Sequence, residues 1–206
     1  MVRVDLLGAW PLPGGTDLRD ELLAAYADPA RGYHDTRHLT EVLERLDELA
    51  GSGVSFDQLP VRLAAWFHDA VYDGERDAEE RSAVWAEAAL PGLVERTVVA
   101  EVARLVRLTE THRPEPDDLA GGALSDADLA ILSSGPERYE EYVATVRVDY
   151  AHVPDDLFVT GRVAVLRDLL AKTNLFHTAY ARATWEAPAR ANVEAELAGL
   201  EPLGTA

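Results

Sequence analysis

Apolar residues recur every three or four positions along most of the chain, which is the spacing of one face of an α-helix. One clear stripe lies within residues 35–49 and comprises Leu39, Val42, Leu43, Leu46 and Leu49. The alternation of apolar and polar residues that is typical of a half-buried β-strand is absent. The pattern therefore predicts an all-α protein.

Glycine, proline and short polar segments interrupt this pattern and divide it into about eight predicted helices. The predicted helices span approximately residues 35–49, 61–72, 77–90, 93–111, 126–132, 136–150, 155–172 and 187–200. No interruption is long enough to act as a linker between domains. We therefore expect one domain over residues 1–206, built as a helical bundle.

The 206 residues include 19 basic and 37 acidic side chains, which gives a formal net charge of −18. Binding to long nucleic acids or to an anionic membrane relies on clustered basic residues, so we expect neither partner. The chain has no cysteine, which excludes disulfides, a thiolate metal site and a cysteine nucleophile. It also lacks a secretory signal and any apolar run near the ~20 residues of a membrane span, so we expect a cytoplasmic protein.

The most informative segment is the apolar run at residues 63–73, because it contains His68 and Asp69 in its middle. The run predicts a helix that is buried on most sides. A buried carboxylate without a partner is costly, so Asp69 needs a compensating group such as a metal cation, an arginine or a histidinium. A hydrogen-bonded His–Asp pair in the core and a metal site are both consistent with this segment.

The chain has six histidines, and four of them lie at positions that are expected to face the interior. His34 and His38 are four residues apart, which places them on one face if the helix already includes His34. His112 follows the stripe residue Leu108 by four positions. Together with His68, these residues make four inward-facing histidines, which is difficult to explain if each is an isolated core residue. They therefore indicate a common site.

Two acidic segments are open to two interpretations. Asp126 and Asp128 precede an apolar helical run, where they are either metal ligands or acids at a helix start. Ser125 and Asp128 have the spacing of a capping box, as do Asp77 and Glu80. Helix capping therefore remains an alternative for both segments.

The ordered set His38, His68-Asp69 and Asp128 resembles the HD-domain superfamily of metal-dependent phosphohydrolases. It is most similar to a bacterial subgroup of predicted HD phosphohydrolases of about this length. The matching landmarks cover about residues 31–196: Arg31, Tyr33-His34, WFHDAVYD at 66–73, EERSA at 79–83, Thr109 with His112, DADLAIL at 126–132, Arg147 with Tyr150, Gly161-Arg162, and Arg190 with Asn192 and Glu196.

The resemblance implies an HD-type helical domain in which His38, His68, Asp69 and Asp128 hold a divalent metal. Asp128 is preferred to Asp126 because family ligands occur in an Ala-Asp-x-Leu context. The chain departs from the subgroup at Ala78, where asparagine is usual before the Glu-Glu pair.

The same resemblance suggests roles for residues around the metal. Glu79 and His112 are the candidates for orienting or deprotonating the attacking water. His34 is a further contact of the site or a ligand of a second metal. Arginine forks bind phosphate in a bidentate manner, and Arg37 and Arg81 are the candidates for holding the substrate phosphate because they lie nearest to the motifs, although any of several arginines would serve.

The implied activity is hydrolysis of a phosphomonoester or phosphodiester of a small, nucleotide-like molecule. The ligand set does not distinguish Mn, Fe, Mg, Co, Ni and Zn. Two alternatives are a binding module that senses a metal or nucleotide without turnover, and a structural role for the histidines without any metal. A homodimer is allowed by the sequence but is not required by it.

Overall fold

The computed structural model of the chain describes residues 4–74 and 76–200, and within these ranges it is all-helical, with an isolated Pro91–Val94 bridge and no strand. The predicted all-α class is confirmed. The helices are α1 (Thr16–Tyr26), α2 (Thr36–Gly51), α3 (Gln58–Phe67), α4 (Ala78–Ala89), α5 (Arg96–Leu108), α6 (Leu119–Leu129), a 3₁₀ helix (Ala130–Ser133), α7 (Pro136–Asp149), α8 (Asp155–Ala171), α9 (Ala179–Thr184) and α10 (Glu186–Leu200).

Helix α3 forms the centre of the bundle. Its residues from Leu63 to Phe67 are completely buried, and α2, α5 and α6 pack around it. Helix α4 packs on α5, while α10 packs on α8 and on the 3₁₀ helix. The residues after the end of α3 therefore emerge between α2 and α6, in the interior of the described structure.

The predicted helix at residues 61–72 ends earlier than expected, at Phe67. The backbone groups that follow are bound by side chains from elsewhere in the chain rather than by another helical turn. These contacts join the Asp69 N–H to the Tyr26 hydroxyl, the carbonyls of Asp69 and Ala70 to Arg31, and the Val71 N–H to the Ser82 hydroxyl. His68 and Asp69 thus lie in the turn after α3 rather than in mid-helix.

Both predicted capping boxes are wrong. Helix α6 begins at Leu119 with Asp118 as its N-cap, so Ser125 and Asp128 lie well inside the helix. The Asp118 side chain accepts a hydrogen bond from the Gly121 N–H and so caps the helix. The helix therefore begins before residue 126, where the sequence predicted its start. Asp77 adopts a left-handed backbone conformation and makes no capping hydrogen bond.

Helix α1 was not predicted, nor was the short α9, which accounts for the excess over eight helices. Helix α1 buries Leu18, Leu22 and Tyr26, which share one face because they are four residues apart. Its last residue carries the hydroxyl group that binds the turn after α3. No helix in the described ranges is long and apolar enough to cross a membrane.

Candidate metal centre

Four side chains from three segments of the chain converge in the interior. His38 comes from the first turns of α2, His68 and Asp69 from the turn after α3, and Asp128 from the end of α6. The Nε2 atoms of His38 and His68 are 3.0 Å apart, and Asp69 Oδ2 lies 3.2 Å and 3.1 Å from them. Asp128 Oδ1 lies 3.2 Å from His38 Nε2 and 3.6 Å from His68 Nε2.

The donor atoms of His38, His68 and Asp69 all lie within 4.8 Å of one another and could hold one metal ion, while Asp128 is within reach of both histidine nitrogens. Donor atoms at about 2.1 Å from an ion are about 3.0 Å apart at neighbouring octahedral positions and about 3.4 Å apart in a tetrahedron. The observed separations of 3.0–3.6 Å span these two values. The donor set, two imidazole nitrogens and two carboxylate oxygens, is also one that divalent transition metals accept.

The two histidines are oriented by hydrogen bonds on the side away from the cluster. His68 Nδ1 lies 2.8 Å from the Ala65 carbonyl oxygen and donates to it, so that in the neutral ring the lone pair is on Nε2 and points into the cluster. His38 Nδ1 lies 2.9 Å from the Tyr33 hydroxyl. Bonds of this type fix the tautomer and the ring orientation of metal-ligating histidines.

Within the described structure, histidines are the residues that compensate the charges of Asp69 and Asp128. No arginine or lysine among residues 4–74 and 76–200 forms an ion pair with Asp69 or Asp128. Burial raises the pKa of Asp128, but His68 and the hydrogen bonds to His38 and His68 lower it more, so it stands well below its usual value. Burial lowers the pKa of His68, but Asp69, Tyr26 and Asp128 together raise it more, which leaves it well above the usual value. A cation would stabilise both carboxylates directly.

His112 approaches the cluster from the end of α5. Its Nε2 atom lies 3.6 Å from Asp128 Oδ2, and its buried Nδ1 atom has no hydrogen-bond partner in the described structure. Burial lowers the pKa of His112 to about 4, so the ring is neutral at pH 7. The residue has a φ of 49°, a left-handed conformation that is strained for a side chain other than glycine. The sequence predicted its inward position, although it lies beyond the helix.

His34 is held beside the cluster by Asp149, a residue that the sequence did not indicate. His34 Nδ1 lies 2.7 Å from Asp149 Oδ2, and the ring stacks on Tyr72 at a centroid distance of 3.9 Å. Asp149 is buried and also accepts hydrogen bonds from the N–H groups of Gly32 and Tyr33. A Cβ atom at position 32 would collide with the backbone of α7, so glycine is needed for this close approach.

Arg31 connects the segment of His34 with the segment of Asp69. Its guanidinium group donates to the carbonyl oxygens of His34 at 2.8 Å, Asp69 at 2.7 Å and Ala70 at 2.9 Å. It also lies over the ring of Tyr26, 5.1 Å from the centroid. One arginine therefore fixes the position of two loops that carry candidate functional residues.

A cavity of about 800 Å³ opens directly beside the cluster. Asp69, Asp128, His34, His112 and Glu79 contribute to its wall. The volume lies within the range that is usual for small-molecule sites, about 300–1,000 Å³. Glu79, a candidate for orienting or deprotonating the attacking water, is thus a residue of the cavity wall.

Other predicted residues lie away from this cavity. Arg37 pairs with Glu41 and Glu141 and lines a smaller cavity behind His38. Arg81 binds the Asp73 carboxylate through two nitrogen atoms and does not line the cavity. The cationic side chains that do line it, Arg162 and Lys172, were not singled out as phosphate contacts from the sequence.

The structure also separates the two aspartates of α6. The Asp126 side chain is fully buried and accepts hydrogen bonds from the backbone N–H groups of His177 and Thr178, at 2.6 Å and 2.7 Å. It therefore ties α6 to the segment before α9. Asp128 faces the histidine cluster instead.

No family model matches the sequence, and no curated protein or solved structure is significantly similar to the chain. The function must therefore be argued from the residues of this chain and their arrangement.

Proposed function

We propose that the chain is an HD-type, metal-dependent phosphohydrolase in which His38, His68, Asp69 and Asp128 hold a divalent metal. The proposal is carried by one observation, the convergence of the Nε2 atoms of His38 and His68, 3.0 Å apart, with carboxylate oxygens of Asp69 and Asp128 that lie 3.1–3.6 Å from these nitrogens, at the wall of a large cavity. Mn, Fe, Co, Ni, Zn and Mg are all compatible with this donor set. When bound, such an ion makes a water molecule more acidic and offsets negative charge on a phosphoryl group.

His34 is suited to moving a proton at the cavity wall. Because its Nδ1–H donates to Asp149, the neutral ring keeps a lone pair on Nε2. In this tautomer Nε2 accepts a proton, and the buried Asp149 carboxylate then stabilises the resulting imidazolium. This arrangement of a carboxylate behind a histidine is that of a general acid–base pair.

Glu79, His112 and Lys172 contribute to the same wall. Glu79 and the neutral His112 accept hydrogen bonds and so orient a water molecule or deprotonate it. Lys172 is partly buried, and within the described residues its hydrogen bonds are long, at 3.4 Å and 3.5 Å, to the carbonyl oxygens of Thr111 and His112. Its ammonium group is therefore available to a phosphate oxygen.

In the proposed reaction, water cleaves one phosphorus–oxygen ester bond, so that a monoester yields an alcohol and phosphate, and a diester yields an alcohol and a phosphomonoester. A nucleotide-like substrate is the proposal that follows from the resemblance. A second copy of the chain is compatible with the proposal but contributes no residue to it.

The proposal is tested by metal analysis of tag-free protein and by hydrolysis of a panel of phosphate esters with Mn²⁺. We expect about one metal per chain and turnover of at least one ester. Asp128→Asn removes the negative charge of one proposed metal ligand with little change in shape. This variant should lose both metal binding and turnover. His152→Gln, which changes an exposed histidine outside the cluster, is the matched control and should retain them.

The outcomes separate the three interpretations of the cluster. Metal binding and substrate-induced thermal stabilisation without turnover would support the binding module. Full metal content in Asp128→Asn would refute the ligand assignment. Absence of metal in native protein and after reconstitution would leave only the structural role of the histidines.

A further inference from the structure

The wall of the 800 Å³ cavity changes character away from the metal-ligand cluster. There, α8 and the segments that face it contribute mainly apolar and aromatic side chains. These residues are Leu129, Ile131, Leu132, Val146, Val153, Leu157, Phe158, Ala164, Val165 and Leu169. Leu157 and Val165 are 59% and 52% exposed, so they retain apolar surface that a ligand would cover.

The described part of the cavity wall has few cations with which to bind additional phosphates. Five carboxylates line it, and only Arg162 and Lys172 oppose them. Arg162 is already engaged by the Glu196 carboxylate, at 2.6 Å and 3.0 Å, and by the Tyr142 hydroxyl at 3.1 Å. This leaves the ammonium group of Lys172, which can bind one phosphate. A di- or triphosphate would place its further charges near carboxylates, which is unfavourable.

The wall also has few groups that could recognise a nucleobase. No asparagine or glutamine is among its described residues, although side-chain amides commonly bind base edges. The tyrosine hydroxyls are engaged, that of Tyr33 by His38, that of Tyr142 by Arg162, and those of Tyr72 and Tyr150 by each other. Aromatic faces and aliphatic groups are what the wall offers to the organic part of a ligand.

We propose that the substrate is a phosphate ester with a single phosphate and an apolar, preferably aromatic, organic group that lies along the inner face of α8. This inference rests on the proposed phosphohydrolase function, because that function places the phosphate at the metal end of the cavity. It replaces the nucleotide-like substrate that the resemblance suggests with monophosphates of apolar alcohols or phenols.

Binding of phosphonates tests this inference without relying on turnover, since the carbon–phosphorus bond is not hydrolysed. Calorimetry with Mn²⁺-loaded protein would compare 1-naphthylmethylphosphonate, methylphosphonate and the phosphonate analogue of adenosine monophosphate. We expect the naphthyl compound to bind at least about 30-fold more tightly than methylphosphonate, given the apolar area that it buries, and about 10-fold more tightly than the adenosine compound. Equal affinities of the naphthyl and methyl compounds, or tighter binding of the adenosine compound, would overturn the inference.

Two variants test whether the preference for an apolar organic group comes from the apolar part of the cavity wall. Val165→Asp introduces a charge into the apolar region at an exposed position and should weaken naphthyl phosphonate binding about 10-fold, with methylphosphonate unaffected. Val84→Asp makes the same change at a similarly exposed position of α4 outside the cavity and should change neither affinity. A Val165→Asp variant that binds both compounds normally but changes from dimer to monomer would instead identify the α8 face as a subunit interface, contrary to the inference.

A separate assay keeps the two proposals distinguishable. Release of naphthol from 1-naphthyl phosphate reports hydrolysis directly. If the naphthyl phosphonate binds selectively but no ester in the panel is hydrolysed, the phosphohydrolase proposal fails and the ligand class is retained. If esters are hydrolysed without preference for an apolar group, the function is retained and the inference fails.

Discussion

His38 and His68 point their Nε2 atoms at each other across 3.0 Å, although the residues are 30 positions apart in the chain. Two carboxylate oxygens lie within 3.6 Å of the same atoms. Because α2, the turn after α3, and α6 all contribute, an ion bound here would connect three segments of the bundle. Metal binding and global stability should therefore be linked.

We predict that Mn²⁺ raises the melting temperature of the metal-free protein. At a metal concentration 100 times the Kd, the stabilisation is about 2.7 kcal/mol, which corresponds to an increase of about 5–10 °C for a chain of this length. Differential scanning calorimetry with and without a chelator measures it. The Asp69→Asn variant should lose most of the shift; the same shift in this variant would show that the metal binds elsewhere.

The contact between Asp149 and His34 leads to a prediction about stability and pH. The Asp149 carboxylate accepts three hydrogen bonds, from His34 and from two backbone N–H groups. Asp149→Ala should lower the free energy of unfolding by about 2–4 kcal/mol, because it leaves buried donors unpaired. Urea denaturation at pH 7 measures the loss. Glu141→Ala, an exposed acid on the same helix, should change stability by less than about 0.5 kcal/mol.

The effect of Asp149 should depend on pH in a defined direction. Burial raises the pKa of this carboxyl group, but the hydrogen bonds from His34, Gly32 and Tyr33 lower it more, so it lies below its usual value. The unfolded chain therefore binds a proton more readily than the folded protein in acid. The stability difference between wild type and Asp149→Ala should be complete above about pH 4 and decrease as the pH falls through the lowered pKa. A difference that grows on acidification would contradict this assignment.

The sequence was sufficient to predict the helical class and the residues of the metal-ligand cluster. It was insufficient where a side chain binds backbone groups that are far away in the sequence. His38 and the His68-Asp69 pair were identifiable because polar residues on an apolar face require a reason to be there. Asp149 was not identifiable, because it lies at the end of an ordinary amphipathic helix and its partners are more than 100 residues away. The end of α3 was misplaced for the same reason, since Arg31 binds the backbone that would otherwise continue the helix.

Arg31 should therefore be important for the metal-ligand cluster without contacting a metal. Arg31→Lys keeps the charge but supplies one ammonium group in place of a planar fork, so it cannot reach the three carbonyl oxygens together. We expect Mn²⁺ to bind at least about 10-fold more weakly, which is the usual cost of losing support behind a ligand. Arg19→Lys, which changes an arginine that pairs with its neighbour Asp20, is the control for titration calorimetry. Unchanged affinity in Arg31→Lys would show that the turn of Asp69 is held without the arginine.

His112 provides a test of whether backbone strain is retained for function. At its φ of 49°, an alanine keeps the steric penalty of the left-handed conformation, whereas a glycine does not. His112→Gly should therefore be more stable than His112→Ala by about 1 kcal/mol. Both variants should lose hydrolytic activity by a similar factor of about 100 or more, since both lack the imidazole at the cavity wall. Urea denaturation and assays on the same preparations measure the two effects. An alanine variant as stable as the glycine variant would contradict the strain, and an active glycine variant would remove His112 from the proposed mechanism.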